Sequence, residues 1–293
     1  MTAMRVLIPT TGQRPALLER TLRSILDADR PDALMSVDVL SNGTAESADA
    51  KRLCESLGYP VRFFHHDVAG KNVALNAHLA EIADEFLVFA DDDVRYEPNV
   101  LTVYAEAAEP GCFFGGPTAC DYEQVPPAWL ESYLPVSARG WSADSEELTS
   151  PCFLGFNWAA WADDLRRVGG FDETVGPGRD TVSNVGDEMI AQQALLDAGL
   201  KAKYLADALV HHHVPADRCS PTWAVRRAFD NGVSRAKRGA AGGQLRTLTR
   251  VAKSTLRKAA VRVMPTSPQQ RFHADYWHAF DRGLYSGLLR GAR

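Results

Sequence analysis

The sequence predicts an α/β fold: a mostly parallel, Rossmann-like central sheet flanked by helices, with a basic helical C-terminal extension. Three observations lead there. Up to Gly116, short apolar runs alternate with segments of helical spacing, the pattern of right-handed β-α-β crossovers. Within that stretch Phe86-Leu87-Val88-Phe89-Ala90 runs directly into Asp91, Asp92 and Asp93. Such an apolar run fits a strand buried on both faces, and its acids would emerge at the carboxyl edge, where open α/β sheets bind ligands. The third observation is charge. The net charge of −5 divides unevenly: from Thr222 onward there are 15 Lys/Arg against 3 Asp/Glu, and before it 17 against 34. The split separates an acidic core, residues 1–221, from a basic extension, residues 222–293.

Composition sets the outer bounds. A chain of 293 residues with 45% hydrophobic content reads as a soluble globular protein. No apolar run approaches the roughly 18–20 residues of a membrane-spanning helix, and Met1–Arg5 reads without a signal-peptide pattern. Five cysteines, odd in number and widely spaced, argue against a disulfide framework and for a cytoplasmic setting.

In chain order, Arg5–Thr10 is the first expected strand, and Pro9 near its end stops ladder pairing where the strand opens into a loop. Pro15 suits a first helical turn, and Leu18, Leu22 and Ile25 follow at helical spacing. Val37–Leu40 is expected as a strand, Ala45–Leu57 as a helix stopped by Gly58, and Val61–His65 as a third strand. A helix opens near Lys71; after the acidic strand another runs from Pro98 to Ala108, then a strand Cys112–Gly116. Residues 118–150 read as a long irregular excursion over the carboxylate edge. Phe153–Trp161 reads as strand, Asp163–Val168 as a short helix, and Val175–Val185 as a mobile loop. The helix opening at Gly186 ends at Gly199, and Lys203–Leu205 and Leu209–His213 are short strands.

Three carboxylates at one point repel one another unless a cation sits among them. Hard divalent ions such as Mg²⁺ or Mn²⁺ take carboxylate oxygens, and Mg²⁺ completes its shell with substrate phosphates. The alternative is a solvated acidic turn. The helix beginning near Lys71 directs its N–H groups toward the same edge, which suits phosphate, and Lys71 and Arg14 supply cations. A nucleoside diphosphate is the natural guest. Asp187 and Glu188 in a helix first turn have a plain electrostatic explanation in the helix dipole and an equally weighted catalytic one. In the triplet His211–His213, strand alternation turns His212 away from its neighbours.

These motifs, in this order, resemble the family 2 glycosyltransferases of the GT-A fold over roughly residues 4–235. The resemblance rests on Val6-Leu7-Ile8-Pro9-Thr10-Thr11, on Gly70-Lys71-Asn72 through Asn76, and on Asp91-Asp92-Asp93. Further along it rests on Gly155-Phe156-Asn157, Gly169-Gly170-Phe171-Asp172, Gly186-Asp187-Glu188, and His212-His213 through Arg218. It implies a metal-dependent, inverting transfer of a sugar from a UDP-, GDP- or dTDP-sugar to an acceptor hydroxyl. Residues 1–117 would bind the nucleotide sugar and 118–221 the acceptor. Mg²⁺ or Mn²⁺ would be held by Asp93 with Asp91 and His212. Thr10, Arg14, Asn42, Lys71, Asp91, Asp92 and Arg218 would meet the donor, Asn157 and Trp158 the sugar or acceptor. Glu188 would act as general base, with Asp187 as the other candidate.

Two departures qualify the likeness. The family often has Glu-Asp where this chain has Asp187-Glu188, and an Asp before the Asn-Gly pair where this chain has Ser41; the second leaves the donor base open. The rival readings are a catalytically inactive GT-A module that binds a nucleotide sugar, and a sugar nucleotidyltransferase. In the extension, Arg250–Met264 places Ala252, Leu256, Ala259, Ala260 and Val263 on one face and bases mainly on the other. Packing on the acidic core is the preferred reading, peripheral contact with an anionic membrane the second. No nucleic-acid recognition motif is present.

Overall fold

The computed structural model describes residues 3–150, 153–176, 186–237 and 243–291. Part of the loop expected at Val175–Val185, residues 177–185, lies outside the described residues, as does Cys152. The chain forms two compact units, residues 1–121 with 140–213, and residues 122–139 with 214–293. Residues 122–139 thus group with the C-terminal helices, and the second unit begins before the 221/222 division that charge suggests.

The first unit opens with β1 (Met4–Thr10), α1 (Pro15–Leu26), β2 (Leu34–Asn42), α2 (Ala48–Leu57), β3 (Val61–His66), α3 (Lys71–Glu81) and β4 (Phe86–Phe89). It continues with β5 (Val94–Tyr96), α4 (Val100–Ala107), β6 (Cys112–Gly115) and β7 (Thr118–Tyr122). The short helix α5 (Ala128–Glu131) belongs to the second unit. Then come β8 (Glu147–Leu148), β9 (Trp158–Trp161), α6 (Ala162–Arg167), α7 (Asp187–Asp197), β10 (Lys201–Tyr204) and β11 (Val210–Val214). Helix α2 starts later than its sequence pattern suggests because Ser47 caps it, its Oγ accepting from Ala50 N at 3.3 Å.

Period-two alternation builds the core. Val6 and Ile8 of β1 enter one apolar cluster, with Leu18, Leu22 and Tyr104; Leu7 enters another, with Leu75, Leu79 and Leu165. In β4, Phe86 and Val88 join the first cluster, Leu87 and Phe89 the second. Both faces are therefore covered by helices, and each fully buried apolar side chain contributes about 1.5–3 kcal/mol. The main sheet has the order β3-β2-β1-β4-β9-β6-β10-β8. Strands β3, β2, β1 and β4 are parallel, as is the pair β6 and β10.

The sheet departs from the expected run of consecutive parallel strands at its edge, where β8 is antiparallel to β10, and in its middle. Strand β9 enters between β4 and β6 and is antiparallel to both, with Phe86 opposite Trp161 and Gly115 opposite Trp158. The strand expected over Phe153–Trp161 is ladder-paired only from Trp158, because Asn157 ties the preceding turn to main-chain carbonyls elsewhere. The excursion expected at 118–150 contains β7, which joins β5 and β11 in a separate three-stranded sheet.

In the second unit, α8 (Pro221–Lys237), α9 (Gln244–Val263) and α10 (Pro268–Gly291) follow one another. Helices α8 and α10 meet backbone to backbone: a Cβ on Gly232 would lie 2.2 Å from Phe280 O, and one on Gly283 2.0 Å from Phe229 O. Trp129 and Tyr133, from the α5 segment, stack edge-on against Phe272 of α10 at 5.1 and 5.0 Å. Helix α9 packs by its polar side. Arg250 pairs with Asp281 at 2.8 Å, Lys258 with Asp275 at 2.9 Å, and Ser254 contacts His278. Leu256 and Val263 are 71% and 85% exposed, and the acids that pair with the helix's bases sit on α10.

Candidate active site

The carboxyl ends of β1, β2 and β4 share one edge, and the acidic turn Asp91–Asp93 leaves it. Ala90 N still bonds Leu7 O at 3.0 Å. The turn is then pinned by Thr21, whose Oγ1 accepts from Val94 N at 3.0 Å and donates to Val94 O at 2.7 Å. Asn42 bridges the neighbouring loops, donating to Thr10 O at 3.0 Å and accepting from Gly70 N at 3.1 Å. It lines the edge but commits its amide to the frame.

Asp92 and Asp93 are both 4% exposed. The guanidinium of Arg14 straddles them, donating to Asp93 Oδ2 and to Asp92, while Thr10 Oγ1 donates to Asp92. Burial opposes the charge on Asp93, but His212 and Arg14 outweigh it and hold its pKa well below the usual carboxylate range. For Asp92 burial wins, with Arg14 and Thr10 opposing, and the pKa is raised. His212 Nε2 lies 3.6 Å from Asp93 Oδ1, and His213 N donates to Asp93 O at 2.8 Å. The His212 ring stacks on Phe156 with 4.8 Å between centroids. His211 faces the other way, 2.8 Å from Glu97. Strand alternation thus places the middle histidine at the acids.

Asp93 Oδ1 is buried and accepts no hydrogen bond among the described residues. A buried carboxylate oxygen with an imidazole nitrogen 3.6 Å away fits a divalent cation that draws its remaining ligands from a phosphate-bearing partner. Among the described residues, no three His, Cys, Asp or Glu side chains cluster closely enough to hold a metal by themselves. Asp91 therefore does not join Asp93 and His212 as expected. Lys71 holds it instead, donating from Nζ to Asp91 Oδ1 at 2.8 Å.

Lys71 connects the two halves of the edge. Burial works against its charge, but Asp91, Asp187 and Glu188 prevail and raise its pKa. A hollow of about 140 Å³ lined by Thr10, Arg14, Lys71, Asp91 and Asp92 shares Pro9 and Lys71 with a smaller one lined by Trp158, Asp187 and Glu188. A larger, 360 Å³ hollow at the opposite ends of the strands, by Met4 and Phe86, lacks this convergence of acids and bases. Asp187 is buried and Glu188 half-buried in the first turn of α7. Burial, then the neighbouring Asp187, push the Glu188 carboxyl up to about 8 against the opposing pull of Lys71.

Asn157 has a different task from the sugar contact expected of it. It is fully buried, donates to Pro117 O at 2.8 Å and Ala208 O at 2.9 Å, and accepts from Tyr104 Oη at 2.8 Å. Trp158 is 1% exposed and stacks on Phe89 at 4.6 Å, so it forms floor rather than open wall. Arg218 lies in the second unit, on the short 3₁₀ turn Ala216–Cys219. Sequence reasoning placed Gly155 in a motif but missed its contact with Lys71 and Glu188. A Cβ there would sit 3.3 Å from Lys71 Nζ and 3.5 Å from Glu188 Cδ; a glycine inside a strand-like aromatic run signals such close approach. It also missed the use of Asn72 and Asn76, which bind the carbonyls of Asp172 and Phe171 at 2.8 Å each and fix the stretch before α7.

The profile of glycosyl transferase family 2 matches residues 5–161. The chain belongs to that family. No curated protein sequence matches this glycosyltransferase. Among solved structures it is similar to PcManGT, a mannosyltransferase from Pyrobaculum calidifontis in complex with GDP-Man and Mn²⁺. The identity is 20% with a TM-score of 0.54, covering 99% of this chain and 75% of that one. It is also similar to GalNAc-T7 with UDP, GalNAc and Mn²⁺, at 13% identity and TM-score 0.56, covering 82% of this chain and 51% of that one. This glycosyltransferase thus spans about half of GalNAc-T7. The likeness carries the fold, and the mostly parallel sheet with helices on both faces is GT-A architecture.

Proposed function

We propose that this family 2 glycosyltransferase moves a sugar from a nucleoside diphosphate donor to an acceptor hydroxyl with inversion, using Mg²⁺ or Mn²⁺. The observation that carries the reading is the division of one sheet edge. Ionised Asp93 and the His212 imidazole beside it stand on one side, and Glu188 stands with a raised pKa on the other. Lys71 joins them. The complexes of the two structural neighbours with Mn²⁺ and nucleotides support the reading.

Asp93 and His212 would hold the cation, which when bound offsets charge gathering on the leaving diphosphate. Arg14 and Lys71 meet phosphate, and Asp91 and Asp92 the ribose or sugar hydroxyls. Glu188 takes the acceptor proton. A general base works best with a pKa near the working pH, and the environment of Glu188 places it there. Asp187 keeps that pKa high by like charge, and Lys71 limits the rise.

A thermal-shift panel of UDP-, GDP- and dTDP-sugars with and without Mn²⁺ tests donor binding, because a ligand that binds only the folded state raises the melting point. One base class should respond, and only with metal. Product anomer determined by NMR tests inversion. A donor response that survives both chelation and Asp93→Asn would overturn the metal assignment, and full transfer by Glu188→Gln would move the base to Asp187.

A further inference from the structure

Helix α9 carries a stripe of apolar side chains left exposed among the described residues. Leu245, Leu248, Ala252, Leu256, Ala259 and Val263 recur at intervals of three and four residues, which places them on one helix face. All six are exposed, Leu245 to 79% and Val263 to 85%. The helix contains six Lys/Arg and no Asp/Glu. Arg250, Lys258 and Arg262 are ion-paired with Asp281 and Asp275 of α10. Arg246, Lys253 and Arg257 are exposed, with no ion pair among the described residues, and by helical spacing lie together along one flank of the stripe. On its other flank lies a groove of about 460 Å³ of mixed character, lined by Phe229, Val251, Tyr285 and Leu289 together with His278 and Arg282.

We propose that this face of α9 docks the protein on an anionic lipid bilayer. An apolar stripe bordered by unpaired bases, on a helix held from behind by its polar side, has the form of a helix lying in the membrane interface. The aliphatic stems of Lys253 and Arg257 cover apolar surface while their charges reach headgroup phosphates. A second copy of the chain would bring the same row of bases against itself, and charge complementarity therefore favours acidic lipid. No helix among the described residues is long and apolar enough to cross a membrane, and a surface contact needs none. The docking is independent of the sugar-transfer reading.

The test is co-sedimentation of the full chain with vesicles of phosphatidylcholine alone and with added phosphatidylglycerol, without donor or metal. The protein should partition onto the anionic vesicles and leave them as salt rises. Each basic residue neutralised near the surface costs about fivefold, so Lys253→Gln with Arg257→Gln should lower partitioning about 25-fold. Leu256→Asp with Val263→Asp should abolish it. Both pairs are at exposed positions, and unchanged circular dichroism and melting temperature confirm folding. Failure to bind anionic vesicles at low salt, equal binding to phosphatidylcholine, or binding unaffected by either pair overturns the proposal. Loss of self-association in Leu256→Asp with Val263→Asp, in a protein that never meets vesicles, gives the face to a second copy instead.

Discussion

Asp93, at the end of β4, and Glu188, in the first turn of α7, are both carboxylates drawn out of water, yet burial prevails at only one of them. Beside Asp93 stand Arg14 and His212, and the acid is held ionised. Beside Glu188 the nearest influence after burial is another acid, Asp187, and the proton is retained to about pH 8. Residue type is therefore a poor guide to role at this edge. An acid ionised at every working pH suits binding of cations, and one poised near neutrality suits proton transfer.

The comparison breaks most visibly at Glu188. Glu188→Gln should lower transfer by roughly 10²–10⁴-fold, the usual worth of a general base, while the donor-induced melting shift persists. Asp93→Asn should do the reverse, weakening Mn²⁺-dependent donor binding by about 10–100-fold or more, read by titration calorimetry. The pH profile sharpens the contrast. Transfer should rise with pH through about 8 as Glu188 becomes a free base. Folding stability linked to Glu188 runs the opposite way. The folded state holds this proton more tightly than the unfolded chain, whose pKa is about 4.5. That contribution is complete below about 4.5 and is lost as pH rises through about 8. Melting curves of wild type and Glu188→Gln should therefore diverge as pH rises from about 4.5 to about 8 and keep that separation above it, with the variant less affected. The smallest effect belongs to the frame. Asn157→Ala should leave donor affinity unchanged but cost about 1–3 kcal/mol, the price of leaving buried polar groups unpaired, measured by urea unfolding.

Much of this was legible in the sequence because it is local. The alternation of Phe86–Phe89, the loop after Pro9 and the acids opening α7 all follow from spacing. Even the turn of His212 away from His211 follows from strand geometry, although which groups it would meet depended on β11 pairing with β5. What stayed hidden is non-local. The antiparallel entry of β9 is a choice of partner strands, and Phe153–Trp161 offers the same apolar pattern either way. Asn157 looked available for a sugar because its three partners, Pro117, Ala208 and Tyr104, are distant in sequence. Lys71 draws Asp91 away from the other acids through a contact that spans twenty residues. In α9 the apolar face was visible, but the partners of its bases, Asp275 and Asp281, lie on another helix.

The second unit also has two unequal seams. Between α8 and α10 the glycine contacts leave no room for a side chain, so that seam is closely packed. Helix α9 is fastened to α10 largely by ion pairs whose arginines and lysine remain partly in solvent, where dissolved salt competes. Under load, heat or brine, α9 is the part of the bundle that peels away first, and amide hydrogens along it exchange with solvent long before those buried at the glycines.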